Sequence, residues 1–163
     1  MSNTQSAIRC LLIPTHAGLL LLPSTVVAEV TFYHEPEPVL NNQHKWLSGI
    51  ISWREQRVPF LFIEEALSLS PYASSKKNHL DASKTVILYG LESTQTMPFY
   101  AFMATDVPRP LAVKEETLTH YNVDNRKGLV FNNVAFNSNP VLLPDVSYLE
   151  NLLIKSQIFS DFT

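Results

Sequence analysis

Glycine is scarce in this chain: four residues in 163. No spacing among them builds a phosphate-cradling loop of the Walker or dinucleotide type. There is one cysteine, so no internal disulfide can form. Cys10 lies in the apolar run Ile8–Ile13 and reads as a small buried core residue. Charge is also sparse, at 17% of residues, with a formal net charge of −3. That balance lacks the basic excess on which phosphate-driven nucleic-acid binding depends. No uninterrupted apolar run approaches the ~20 residues of a membrane helix. The N-terminal stretch Leu11–Leu22 is interrupted by Pro14, Thr15, His16 and Gly18 and has no small-residue cleavage pattern. The expectation is a cytoplasmic protein with no direct membrane insertion.

Catalytic chemistry is equally hard to find. The five histidines (His16, His34, His44, His79 and His120) are scattered, and none sits at metal-ligand spacing from another His or from Cys10. His34 beside Glu35 and Glu37 reads as a solvated loop. There is no Gly-x-Ser-x-Gly elbow. The carboxylate pairs Glu64-Glu65 and Glu115-Glu116 are adjacent in sequence, and neighbours point apart on a helix. The expectation is a non-enzyme with no metal and no cofactor.

Hydrophobic residues make up 45% of the chain, enough for a substantial core, and so little charge points to apolar surface hidden against partners. Strand-like segments dominate. Ile8–Ile13 and Gly18–Leu22 flank a turn with Pro14 and His16. Thr25–Tyr33 is rich in β-branched and aromatic residues, and the prolines of His34–Pro38 end its pairing. Thr85–Leu91 and Met97–Ala104 read as a strand pair, and Pro108 and Pro110 break the next stretch. Leu129–Phe131 and Val141–Leu143 read as short strands across an Asn-rich connection. Asp145–Ile158 has apolar residues on one helical face; Asp145 or Ser147 can cap it, and Ser147 with Glu150 has capping-box spacing. A polar connector, 70–83, divides the chain into halves, 8–69 and 84–158. Eleven prolines among short strands favour small barrels with irregular corners.

The most distinctive stretch is Trp46–Ile63. Two apolar strands flank a charged tip, Arg54 to Arg57. Packing gives no reason for so polar a tip, and presentation to another molecule does.

This hairpin resembles the Gly-Val-x-Asn-Leu-Arg-Gly-x3-Pro-Val-x-Asp-Leu segment of CheW-like chemotaxis coupling domains. Gly49 matches the motif Gly, Arg54 the Arg and Pro59 the Pro. Val27 and Glu29 match the Val and Glu of the family's earlier strand. Ala104–Val113 and Val141–Leu149 resemble its later strand pair and its closing strand and helix. The four matches fall in family order over nearly the whole chain. The resemblance implies one domain, 1–163, of all-β class: two SH3-like five-stranded β-barrel lobes, 8–69 and 84–158, joined by connector 70–83, with a short C-terminal helix. It implies a non-enzymatic signal-transduction adaptor between a methyl-accepting chemoreceptor's cytoplasmic tip and the regulatory domain of a CheA-type histidine kinase. The likeness is greatest to the type IV pilus (twitching motility) branch, with PilI- and ChpC-like members. Val27, Glu29, Gly49, Trp53, Arg54, Glu55 and Pro59 are the implied protein-binding residues.

Departures from the motif bear on the partner. Its Asn is Ser52, its Leu Trp53, its second Gly Glu55 and its Asp Phe62. Glu55 is expected to remove a backbone conformation that glycine adopts easily. Trp53 reads either as core or as an exposed anchor. The competing interpretation is a small β-barrel module that grips a small ligand or another protein, unrelated to chemotaxis.

Overall fold

The computed structural model describes residues 7–68, 82–92, 94–114, 116, 118–120, 129–136 and 139–156. Strand β1 (Ile8–Thr15) folds back on β2 (Gly18–Pro23), and a single 3-10 turn leads to β3 (Val27–Phe32). The hairpin strands are β4 (Leu47–Trp53) and β5 (Gln56–Leu61), followed by the one-turn helix α1 (Ile63–Ala66). Then come β6 (Lys84–Tyr89), β7 (Phe99–Ala104), β8 (Arg109–Val113), β9 (Leu118–His120), β10 (Leu129–Phe136), β11 (Asn139–Pro144) and helix α2 (Val146–Lys155).

These strands form two sheets, ordered β8-β1-β2-β11-β10-β9 and β3-β6-β7-β5-β4. Neighbours run antiparallel except β2 with β11 and β5 with β7. The sheets are not closed, so the two SH3-like five-stranded β-barrel lobes that the resemblance implies are not seen as such. The first sheet has six strands, and both end in free edges among the described residues. The second sheet curls until its edges nearly meet. Beyond β3 the chain bends, and Glu37 makes one two-bond bridge to Ile50 on β4, at 2.8 and 2.9 Å.

The division at 70–83 does not separate the sheets. β1 and β2 from the first half pair with β8 and β11 from the second, while β6 and β7 enter the sheet of β3, β4 and β5. The physical reason is burial on both faces. Strand side chains alternate, so Ile13, Leu20 and Leu22 of the first sheet meet Leu47, Ile50, Leu61, Val86, Leu88, Tyr100 and Phe102 of the second in one shared core. The alternate residues fill the concavity of each sheet: Ile51, Trp53, Val58, Phe60, Ile87 and Ala101 in one, Cys10, Leu21, Val113 and Val141 in the other. Connector residues 70–81 lie outside the described residues, as does residue 69 before them.

Two other expectations change. Pro110 does not break the chain: it pairs with Leu11 within β8, an edge strand whose missing amide hydrogen is tolerated there. Asn132 and Asn133 are not a connection but part of β10, where the register with β11 shifts between Phe131 and Val134. Helix α2 docks on the shared core through Leu149 and Leu153. Its cap is Asp145, whose Oδ1 accepts from the N–H groups of Ser147 and Tyr148 at 3.1 and 3.4 Å. No capping box forms. Glu150 is fully buried and turns away to accept hydrogen bonds from the N–H groups of Leu91 and Glu92 in the β6–β7 loop.

Candidate functional site

The β4–β5 hairpin ends in a two-residue turn, because Trp53 pairs with Gln56. Arg54 and Glu55 both have positive φ, 48° and 62°, the pattern of a type I′ turn, whose twist matches that of the flanking strands. Glu55 therefore keeps the left-handed conformation that it was expected to remove, at a steric cost of roughly 1–2 kcal/mol. The charged tip is shorter than expected: Gln56 and Arg57 already belong to β5.

Trp53 is buried, which excludes the exposed-anchor reading. Its ring packs edge-on to Phe99 of β7, with centroids 4.8 Å apart. Its indole Nε1–H crosses the mouth of the curled sheet and donates to Glu29 Oε2 on β3 at 2.5 Å. A buried indole N–H needs such an acceptor. The same carboxylate oxygen lies 3.7 Å from Arg54 Nη2, and the Arg54 guanidinium carbon sits 4.7 Å from the Trp53 ring centroid. Arg54 is thus held between a carboxylate and an indole face while its side chain stays 68% exposed. This is a pre-oriented guanidinium at a protein's edge, with planar, directional donors that lysine lacks. The exposed Tyr89 ring lies 5.7 Å from Phe99 and extends the aromatic surface beside it.

The remaining implied residues shape this crest from within. Val27 is half-buried against the shared core. Gly49 is buried with φ of 152°, and a Cβ there would fall 2.1 Å from the Glu37 carbonyl oxygen. Only glycine lets Glu37 approach and bridge Ile50. Pro59 is buried opposite Ile50. Ile50 turns its backbone groups to Glu37, so Pro59 lacks an amide only on the side toward β7, where pairing starts at Phe60.

The family resemblance implies an apolar groove between the lobes, but the sequence does not say which residues form it. Between the sheets lies an open groove of about 480 Å³, lined by Leu11, Val30, Thr31, Phe32, Lys84, Val107 and Pro108. Phe32 is 79% exposed and Val107 55% exposed. The lining comes from β1, β3, β6 and the β7–β8 connection, so no local motif signals it. The one sequence hint is an aromatic at a solvent-facing strand position.

The described residues contain no group of three or more His, Cys, Asp or Glu able to hold a metal ion. No described helix is long and apolar enough to cross a membrane. Burial pushes the Cys10 thiol up from its ordinary range, which disfavours the nucleophilic thiolate. Glu64 is buried, and its carboxylate accepts from the His16 N–H at 3.0 Å, tying α1 to the β1–β2 turn.

No protein-family model matches the chain, and no curated protein matches it. Among solved structures it is similar to the scaffolding protein TtCheW from Thermoanaerobacter tengcongensis. The TM-score is 0.67 at 12% identity, over 90% of this chain and 89% of that one. The likeness is one of fold: two mostly β sheets with few helices, arranged as in CheW.

Proposed function

We propose that this chain is a non-enzymatic adaptor that couples a chemoreceptor's cytoplasmic tip to the regulatory domain of a CheA-type histidine kinase. Its setting is the cytoplasmic side of a type IV pilus (twitching motility) chemosensory system. The observation that carries the reading is the Glu29–Trp53–Arg54 crest, placed on a CheW-like fold. The crest commits buried hydrogen bonding and aromatic packing to holding one exposed guanidinium in a fixed pose. A surface arginine that served solubility alone would need none of this.

In this reading the crest, with Glu29, Arg54 and Glu55 at its surface, contacts the kinase, and the groove between the sheets takes a receptor helix. Val27, Gly49, Trp53 and Pro59 act through the crest's shape. The adaptor works by favouring one state of the kinase through differential contacts and transforms no molecule.

The test is calorimetric titration of the purified chain with the regulatory domain of the CheA-type kinase, and with the receptor tip, encoded in the same genome. Arg54→Ala and Glu29→Ala are expected to weaken kinase binding at least tenfold with the unfolding midpoint of Arg54→Ala unchanged. Wild-type affinity in both variants removes the crest from the interface. Absence of binding to every such kinase and receptor overturns the adaptor reading.

A further inference from the structure

The groove between the sheets is chemically uneven. Leu11, Val30, Phe32, Val107 and Pro108 make it apolar, and Thr31 adds a neutral hydroxyl. Lys84 is the one charged residue among the described lining residues, in a chain whose net charge is −3. Its position is set twice. Lys84 opens β6 and pairs in register with Phe32 at the end of β3, and its Nζ sits 5.0 Å from the Phe32 ring centroid. Cation and ring are therefore presented together at one wall of the groove. The nearest acidic residue in sequence to the opposite wall, Asp106, does not line the groove: its Oδ1 accepts from the Val107 N–H at 2.7 Å and so fixes that wall.

Leaving an aromatic ring 79% exposed beside an exposed valine is unfavourable unless something covers them. A purely apolar occupant would bury the Lys84 ammonium without a partner, which is costly. An occupant that supplies a carboxylate at that point removes the cost, and it keeps out competitors that lack one.

We infer that the groove selects a protein segment carrying an Asp or Glu beside an apolar anchor. Lys84 is the specificity-determining residue, and Phe32 and Val107 receive the anchor. This deepens the adaptor reading by specifying the chemistry of the segment that the groove takes, and it rests on that reading only for the segment's natural source.

The experiment uses random 16-residue peptides displayed on phage, selected against the immobilised full chain, against Lys84→Glu, and against Lys45→Glu as an exposed control outside the groove lining. Wild type and Lys45→Glu are expected to enrich sequences with an acidic residue adjacent to an aliphatic or aromatic one. Lys84→Glu is expected to lose that bias and enrich Lys or Arg there. A synthetic peptide from the wild-type selection should bind Phe32→Ser at least tenfold more weakly, with both Phe32→Ser and Lys84→Glu retaining the wild-type circular dichroism spectrum. Enrichment without charge bias overturns the inference, as do the same bias in Lys84→Glu, no enrichment at all, or unchanged binding to Phe32→Ser. Acidic selection by a chain that binds no receptor would overturn the adaptor reading and leave the groove's chemistry standing.

Discussion

Arg54 and Glu55 occupy a turn whose backbone suits glycine or asparagine, and neither residue is one. The steric strain is local, so Glu55→Gly is expected to raise stability by about 1 kcal/mol, read as a rise of roughly 2–4 °C in the thermal midpoint. An unchanged or lowered midpoint would mean that Glu55 makes a compensating contact. A second local conflict is Tyr100. Its ring is fully buried in the shared core, and its hydroxyl has no hydrogen-bond partner among the described residues. Burial first, then the nearby charges of Glu150, Asp145 and Glu92, hold its phenol far above the ordinary range. Tyr100→Phe removes an unsatisfied polar group and should be neutral or stabilising by up to ~1 kcal/mol. The pH dependence has a definite sign. Above about pH 10 the unfolded phenol ionises while the folded one does not, so the unfolded state binds fewer protons and stability falls as pH rises. Denaturant midpoints at pH 8 and pH 11 should therefore fall less in Tyr100→Phe than in wild type. Equal losses would show that Tyr100 is solvated or paired. The Tyr100 conflict could not be read from sequence. Glu55 stands out there only as a departure from a motif, and Tyr100 looks like any strand aromatic.

The β4–β5 hairpin was legible as an element because its pattern is local: two apolar strands and a charged tip, although the two-residue turn proved shorter than the tip expected over Arg54 to Arg57. Its partners were not legible. Glu29 meets Trp53 across the mouth of a curled sheet, from the opposite edge strand, and no local pattern encodes that approach. Gly49 shows how the curl is locked. Gly49→Ala would drive a methyl group into the Glu37 carbonyl, breaking the backbone bridge that joins Ile50 of β4 to Glu37. A loss of about 3 kcal/mol is expected, in the upper range for single substitutions. Hydrogen exchange should show the Ile50 and Glu37 amides losing protection before those of β6 and β7. Uniform protection, with no loss of stability, would mean that the bridge is dispensable. Helix α2 was legible as an element, with Asp145 one of two candidate caps; it ends at Lys155, and Ile158, where the expected helix ended, lies outside the described residues. The use of Glu150 was not legible: capping-box spacing pointed its carboxylate to its own helix, and tertiary packing takes it to the β6–β7 loop. Prolines misled in two places: Pro14 was expected in the turn but pairs with Leu19 inside β1, and Pro110 sits in an edge strand where a missing donor costs nothing.

Division of the chain at 70–83 rests on a shift in composition, and strand pairing ignores it. With β1 and β2 bound to β8 and β11, and β6 and β7 between β3 and β5, each half lacks the neighbours that bury its apolar faces. Fragments 1–69 and 84–163, expressed separately, are expected to give amide spectra without dispersed peaks, and to recover dispersion only when mixed. A folded isolated half would restore the picture of sequential lobes. The same interleaving explains why the residues of the groove could not be named from sequence, since its walls come from four segments distant in sequence.

What the residues alone determined is what depends on near neighbours: strand after strand of β-branched and aromatic side chains, a charged hairpin tip with Arg54, and a capped terminal helix. A two-residue alternation with both faces apolar already requires that each sheet be covered on both sides. Which strands do the covering was decided only in three dimensions. Backbone hydrogen bonds are the same for any pair of strands. The choice of partner rests on how side chains from remote segments fill one shared core, and that fit is a property of their joint packing rather than of any segment by itself.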